Sequence, residues 1–180
     1  DIAMHLLRRE GLDAGRSLAQ VTADLAKRLG IHSLQVVPAS EQPIRTVLTT
    51  TEGDLDFQSY FVGRQCQPEV LSIDFRGAAD ATPAPDLIEF INRGCDCVIL
   101  GPSNPYLSLA PMLAISGIVD ALAGAAPVVA VSPIVAGAAV KGPLAKLMIE
   151  RGLKPTAISW VDEVKAMYPG LVDLWVLYRS

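Results

Sequence analysis

The sequence predicts an α/β fold, a mostly parallel sheet with helical returns preceded by a smaller mixed α+β/helical lobe, and three observations carry that prediction. Cys97 to Leu100 is a short unbroken apolar run ended by Gly101-Pro102, the pattern of a buried strand in a parallel sheet. Pro127 to Val131 repeats it and is ended by Ser132-Pro133. The segment between the runs has the length that a helical return between parallel strands requires. Both loops should then open at one sheet edge, beyond the strand C-termini, where such sheets take ligands. This places Ser103, Asn104, Ser132 and Lys141 in one crevice. A helix is expected from Tyr106 onward, and its N-terminal N–H groups and dipole would favour an anion, a phosphate first.

The remaining elements follow in order. Asp1 to Arg9 reads as an amphipathic helix already under way, so the chain is expected to be an interior piece of something longer. Ser17 with Gln20 is a capping-box pattern opening a helix through Leu18, Val21, Leu25 and Leu29, which Gly30 stops. Leu34 to Val37 reads as a strand. Ile44 to Thr51, the turn Glu52-Gly53 and the alternation around Leu55 and Phe57 predict a hairpin. A short helix over Phe57 to Gln65, a strand over Val70 to Phe75 and a helix over Asp86 to Arg93 lead to the central strand.

Beyond the second loop, Gly142-Pro143 suits a helix start at Leu144 to Arg151. Ala157 to Ser159 reads as a weak strand, Val161 to Met167 as a helix and Leu171 to Leu177 as a last strand, with no closing helix after it. The shift from local, mixed elements to regular alternation divides residues 1–69, a partial lobe, from residues 70–180, the parallel nucleotide-binding portion.

Composition narrows the function. Hydrophobic content is 51% with 19% charged residues, which argues against disorder and for a heavily buried sheet. A net charge of -4 with no basic run argues against nucleic acid. No apolar run approaches the roughly 20 residues of a membrane helix. The three cysteines form neither a disulfide framework nor a C-x-x-C pair, which suits a reducing cytoplasm. Cys95 and Cys97 would alternate on a strand and face opposite sides. Asp54 and Asp56 read as the wet face of the hairpin rather than a carboxylate pair. Phe57, Tyr60 and Phe61 read as packing rather than a platform for a flavin-like ring, and His5 and His32 stand without a third ligand.

The loop wording G-P-S-N-P-Y-L-S-L-A-P, followed by V-V-A-V-S-P-I-V-A-G-A-A-V-K-G-P, resembles the 2-phospho-L-lactate transferase family (CofD). D-I-A-M-H-L-L-R-R, G-R-S-L-A-Q-V-T and L-D-F-Q-S-Y-F-V agree with it, so the resemblance covers essentially the whole chain. It implies a Rossmann-like three-layer fold and a homodimer. It also implies a transferase that takes a guanosine diphosphate-activated lactyl or enolpyruvyl donor, moves the phosphate-bearing unit to the deazaflavin alcohol FO, releases GMP and uses magnesium, in the biosynthesis of coenzyme F-420.

By the same resemblance, Gly101, Pro102, Ser103, Asn104, Pro105 and Ser108 fall on the first signature loop and Ser132, Pro133, Gly137, Lys141 and Gly142 on the second, both assigned to the donor and its phosphates. Asp1 and His5 are placed near the acceptor. Ala136 stands where the family has a glycine and Ala138 where a lysine is common, so Lys141 must supply the charge. The catalytic and metal-binding acids are expected upstream of Asp1, in about a hundred further residues. An alternative is a non-enzymatic UDP-sugar-binding regulator of the related YvcK-like branch, which tends to carry Gly-Pro-Gly-Ser-Leu in the first loop where this chain has Gly-Pro-Ser-Asn-Pro. A generic nucleotide-binding α/β protein is disfavoured because G-x-G-x-x-G is absent. The donor acid is left open.

Overall fold

The computed structural model describes residues 2–178. Two helices open the chain, α1 (Ile2–Asp13) and α2 (Leu18–Arg28). The capping box forms as the spacing requires: Ser17 Oγ accepts from the Gln20 N–H and the Gln20 side chain accepts from the Ser17 N–H. Gly30, at φ 78°, ends the helix in the left-handed region that glycine enters without strain. Leu34 to Val37 is not a strand. Among the described residues no strand pairs with it, and Leu34 lies 72% exposed.

The strands β1 (Arg45–Thr50) and β2 (Gly53–Asp56) form the expected hairpin, and a π-helical turn, Ser59–Gly63, follows it. The next strand, β3 (Val70–Arg76), pairs antiparallel with β1, giving a three-stranded sheet in the order β2-β1-β3. The strand expected to begin the parallel portion thus belongs to the antiparallel sheet, and a division at residues 69 and 70 would run through it. Period-two alternation is the same in either sheet, so pairing partners could not be read from it.

After α3 (Pro85–Asn92) come β4 (Val98–Leu100), a π-helical turn at Pro105–Leu109, α4 (Ala110–Leu113), α5 (Ile118–Ala125) and β5 (Val128–Val131). Cys95 and Cys97 precede β4 and sit on no strand. A small hairpin, β6 (Ile134–Val135) and β7 (Ala138–Ala139), leads to α6 (Leu144–Glu150), α7 (Ala157–Met167) and β8 (Leu174–Val176). Ala157 to Ser159 is the first turn of α7, not a strand, because the Thr156 hydroxyl accepts from the Ser159 N–H and caps the helix.

The second sheet has the order β4-β5-β8, parallel throughout, with Leu100 beside Ala130 and Ala130 beside Trp175. Leu100, Ala130 and Val128 face a core filled by Leu113, Ile118, Leu122, Leu144, Met148, Trp160 and Val164. Ile99, Val129 and Leu174 form the opposite face, on which Ile99 is 64% exposed. No single described helix is long and apolar enough to cross a membrane; the one bent pair that passes by composition turns through 91°.

Candidate functional site

Parallel pairing of β4 and β5 places the loops that follow them at one sheet edge. In the first loop Asn104, in extended backbone, turns its side chain back so that Oδ1 accepts from the N–H groups of Tyr106 at 2.9 Å and Leu107 at 3.2 Å. Its own carbonyl accepts from Ser108 and Leu109, the latter five residues on, which opens the turn into π geometry. The helix-start donors expected to meet a phosphate are therefore already satisfied within the loop. What the loop presents is the Ser103 and Ser108 hydroxyls and the Asn104 amide, whose Nδ2 is buried without a partner.

Tyr106 anchors this loop. It is 3% exposed, with the Arg151 guanidinium 4.8 Å from its ring centre, and Arg151 pairs with Glu163 at 3.0 Å. Burial first, then the nearby Glu163 carboxylate, raises the Tyr106 phenol well above its ordinary range.

In the second loop the small hairpin turns at Ala136 and Gly137, both with positive φ, and delivers Val140, Lys141 and Gly142 to α6. Gly142, at φ 73°, sits where any side chain would strain the backbone. Lys141 is exposed at the mouth of a crevice of about 300 Å³ shared with Pro102, Ser103, Asn104 and Ser108. Ser132 does not join them. It is buried beneath the loop, its hydroxyl accepting from the Ile134 N–H at 3.1 Å and its N–H donating to Val176 at 2.9 Å. Pro133 is buried, Gly137 lies at the hairpin tip, Gly101 is half-buried at the strand end, and Pro105 is buried under its own turn. His5 is exposed on α1 and lines no part of the crevice, and Asp1 lies outside the described residues.

Further lining comes from the segment after β2. Asp56 accepts from the Ser59 hydroxyl at 2.7 Å and its N–H at 2.9 Å, and these bonds, the hydroxyl's first, hold its carboxyl below the usual range. Asp54 is taken up by Thr49 and Arg76, consistent with a wet hairpin face. Tyr60 is wholly buried, whereas Phe57 and Phe61 stack at 5.4 Å with 13° between their planes and line the same crevice as Lys141. Tyr60 is packing, as read; the other two are not core. The signal was available in F-x-x-x-F, a spacing that brings side chains together on a helical turn.

One further group was missed. Lys146 on α6 donates to the Pro68 carbonyl at 2.8 Å, pairs with Glu150 and lies 5.8 Å from the centre of the Tyr60 ring. Glu150 accepts weakly from the Val70 N–H at 3.4 Å. This clamp ties the segment carrying Phe61 to the helix that follows Lys141. Gln65 and Cys66, both at positive φ, bend the connection between them. Burial raises the Cys66 thiol, with Lys146 opposing.

A crevice beyond the carboxyl ends of parallel strands, lined by two loops of small polar residues with one cation, defines the class: an α/β protein with a polar crevice at a sheet edge. A family model described as 2-phospho-L-lactate transferase CofD matches residues 1–179, and the chain belongs to that family. It is similar to the 2-phospho-L-lactate transferase of Halobacterium salinarum, 43% identical over 90% of this chain and 47% of the relative. The protein of the same name from Haloarcula marismortui is 40% identical over 98% of this chain and 51% of the relative. The phosphoenolpyruvate transferase of Kitasatospora aureofaciens is 36% identical over 98% and 55%. The chain thus spans about half the length of the curated relatives it matches. A solved structure of a UPF0052-family protein from Bacillus halodurans shares the fold, with a TM-score of 0.65 at 19% identity over 95% of this chain and 52% of the other.

Proposed function

We propose that the chain forms the donor-handling part of a transferase that moves a phospholactyl or phosphoenolpyruvyl unit from a guanosine diphosphate-activated donor to the deazaflavin alcohol FO. In that reaction the acceptor hydroxyl attacks the phosphorus bearing the three-carbon acid. A new P–O bond forms, the phosphoanhydride bond breaks, GMP leaves with the bridging oxygen, and the hydroxyl proton is released. The observation that carries the reading is the convergence of Lys141 with Ser103, Asn104 and Ser108 on one crevice from two separate strand tips. A compact ammonium and short hydroxyls suit a diphosphate, whose charge must be held while one bond breaks. The relatives' names, one lactate and one phosphoenolpyruvate, support the class of donor and leave the acid open.

Magnesium, which the resemblance implies, finds no fitting donor set among the described residues. The crevice lining holds no carboxylate or imidazole, and no group of three or more His, Cys, Asp or Glu side chains converges elsewhere. In this reading the chain's own residues bind and orient the donor. The proposal includes a homodimer, checked by light scattering, and a cytoplasmic location, checked by fractionation.

A thermal-shift panel tests the reading, because a ligand that binds only the folded state raises stability by mass action. Guanosine diphosphate and FO should each raise the melting temperature, and Lys141→Ala should weaken the first response. Stabilisation by UDP-sugars alone would replace this reading with the regulator.

A further inference from the structure

The crevice has a second kind of lining whose chemistry is unlike the first. Its polar lining, Ser103, Asn104 and Lys141, suits charged oxygens; the stacked pair Phe57 and Phe61 lines it as well. Core aromatics are hidden, as neighbouring Tyr60 is, yet Phe61 is 36% exposed and Phe57 half-buried. The local backbone accounts for the difference. Asp56 accepts from Ser59 at the start of the turn, Tyr60 is buried, and Phe57 and Phe61, four residues apart, meet on another side of the same turn. The two rings lie nearly parallel, so the pair already has the geometry of a stack to which a further flat ring adds at an outer face.

We infer that Phe57 and Phe61 form a ring-binding subsite that takes the flat, fused heteroaromatic part of a ligand whose phosphate or hydroxyl end lies toward Ser103, Asn104 and Lys141. Two sources supply that chemistry, the guanine of the donor and the deazaflavin of the acceptor, and both belong to the function proposed above, on which this inference rests. Stacking on an aromatic face tolerates many ring types, because every such ring has a π-face, so the pair selects for flatness and the polar wall for charge.

The test titrates the protein calorimetrically with guanosine diphosphate, with FO and with inorganic pyrophosphate, which has no ring. In Phe61→Leu, which keeps apolar volume and removes the aromatic face, affinity for one ring-bearing ligand should fall about five- to tenfold, while pyrophosphate binds as before. Phe61→Trp should restore or exceed the original affinity. A drop for guanosine diphosphate alone assigns the ring to the donor, and a drop for FO alone assigns it to the acceptor. Unchanged affinities in Phe61→Leu, or equal losses for pyrophosphate and the ring-bearing ligands, would overturn the subsite. If pyrophosphate binds in a Lys141-dependent way but neither ring-bearing ligand binds more tightly than it does, the subsite falls and the donor-handling reading stands. If none of the three binds, both fall.

Discussion

The Lys146 ammonium donates to the Pro68 carbonyl at 2.8 Å, a contact across 78 residues of chain that joins α6 to the segment entering β3. Together with the Val70 N–H donating to Glu150, it joins the antiparallel sheet to the helix that follows Lys141.

Lys146→Met keeps most of the side chain's length but leaves the Glu150 carboxylate, only 12% exposed, without its counter-charge. Breaking such a pair from one side is costly; with the lysine one-third exposed, a loss of about 1–3 kcal/mol is expected. Urea denaturation reads it as a lower midpoint, and Lys146→Met combined with Glu150→Leu should recover part of the loss.

Asn104 carries two roles that substitution can separate. Asn104→Ala removes the acceptor for the Tyr106 and Leu107 N–H groups and should cost about 1 kcal/mol in chemical denaturation. Asn104→Asp keeps that acceptor but sets a charged oxygen where Nδ2 is buried without a partner, so a loss of about 1–3 kcal/mol is expected from desolvation instead. Its added negative charge in the crevice should weaken pyrophosphate binding, measured by calorimetry.

Ala136 sits at φ 49°, beside Gly137 at φ 77°, so an alanine occupies a left-handed position in the hairpin that delivers Lys141. Ala136→Gly relieves that cost at the expense of some chain entropy, and a net gain of about 0.5–1 kcal/mol is expected. A higher melting temperature in calorimetry checks it.

Burial raises the phenols of Tyr60, Tyr106 and Tyr168 above their ordinary value of 10.0. A raised folded-state value means that the folded protein holds the proton after the unfolded chain has lost it. The stabilising contribution is thus complete below about pH 10 and is lost as pH rises beyond it. Alkaline titration followed by circular dichroism should show unfolding coincident with tyrosinate absorbance, and Tyr60→Phe with Tyr106→Phe should move that transition to higher pH.

The parallel pair β4 and β5 was legible because each apolar run ends in a dipeptide that cannot continue a strand, Gly101-Pro102 and Ser132-Pro133. The convergence of Ser103, Asn104 and Lys141 followed from that alone. Ser132 was misplaced because a serine at a strand end reads the same whether its hydroxyl faces a ligand or, as here, the Ile134 N–H. Asn104 was read as a ligand group; the structure spends its oxygen on the next turn and leaves its Nδ2 without a partner at the crevice. Thr156 with Ser159 was a capping signal hidden by β-branched and apolar neighbours that suggested a strand. The Lys146 clamp had only its local half in view: the four-residue spacing to Glu150 is readable, whereas a bond to the Pro68 carbonyl depends on tertiary approach.

The register of Leu100 beside Ala130 has a consequence for how substitutions propagate. A slip of one residue along that ladder, about 3.3 Å, would carry Leu100 to the solvent side and draw Asn104 away from Lys141 in the same movement. Packing beneath the sheet is therefore the gauge that spaces the two loops lining the crevice. A cavity opened at Val128, remote from any ligand, would be felt first as loosened recognition rather than as a missing contact.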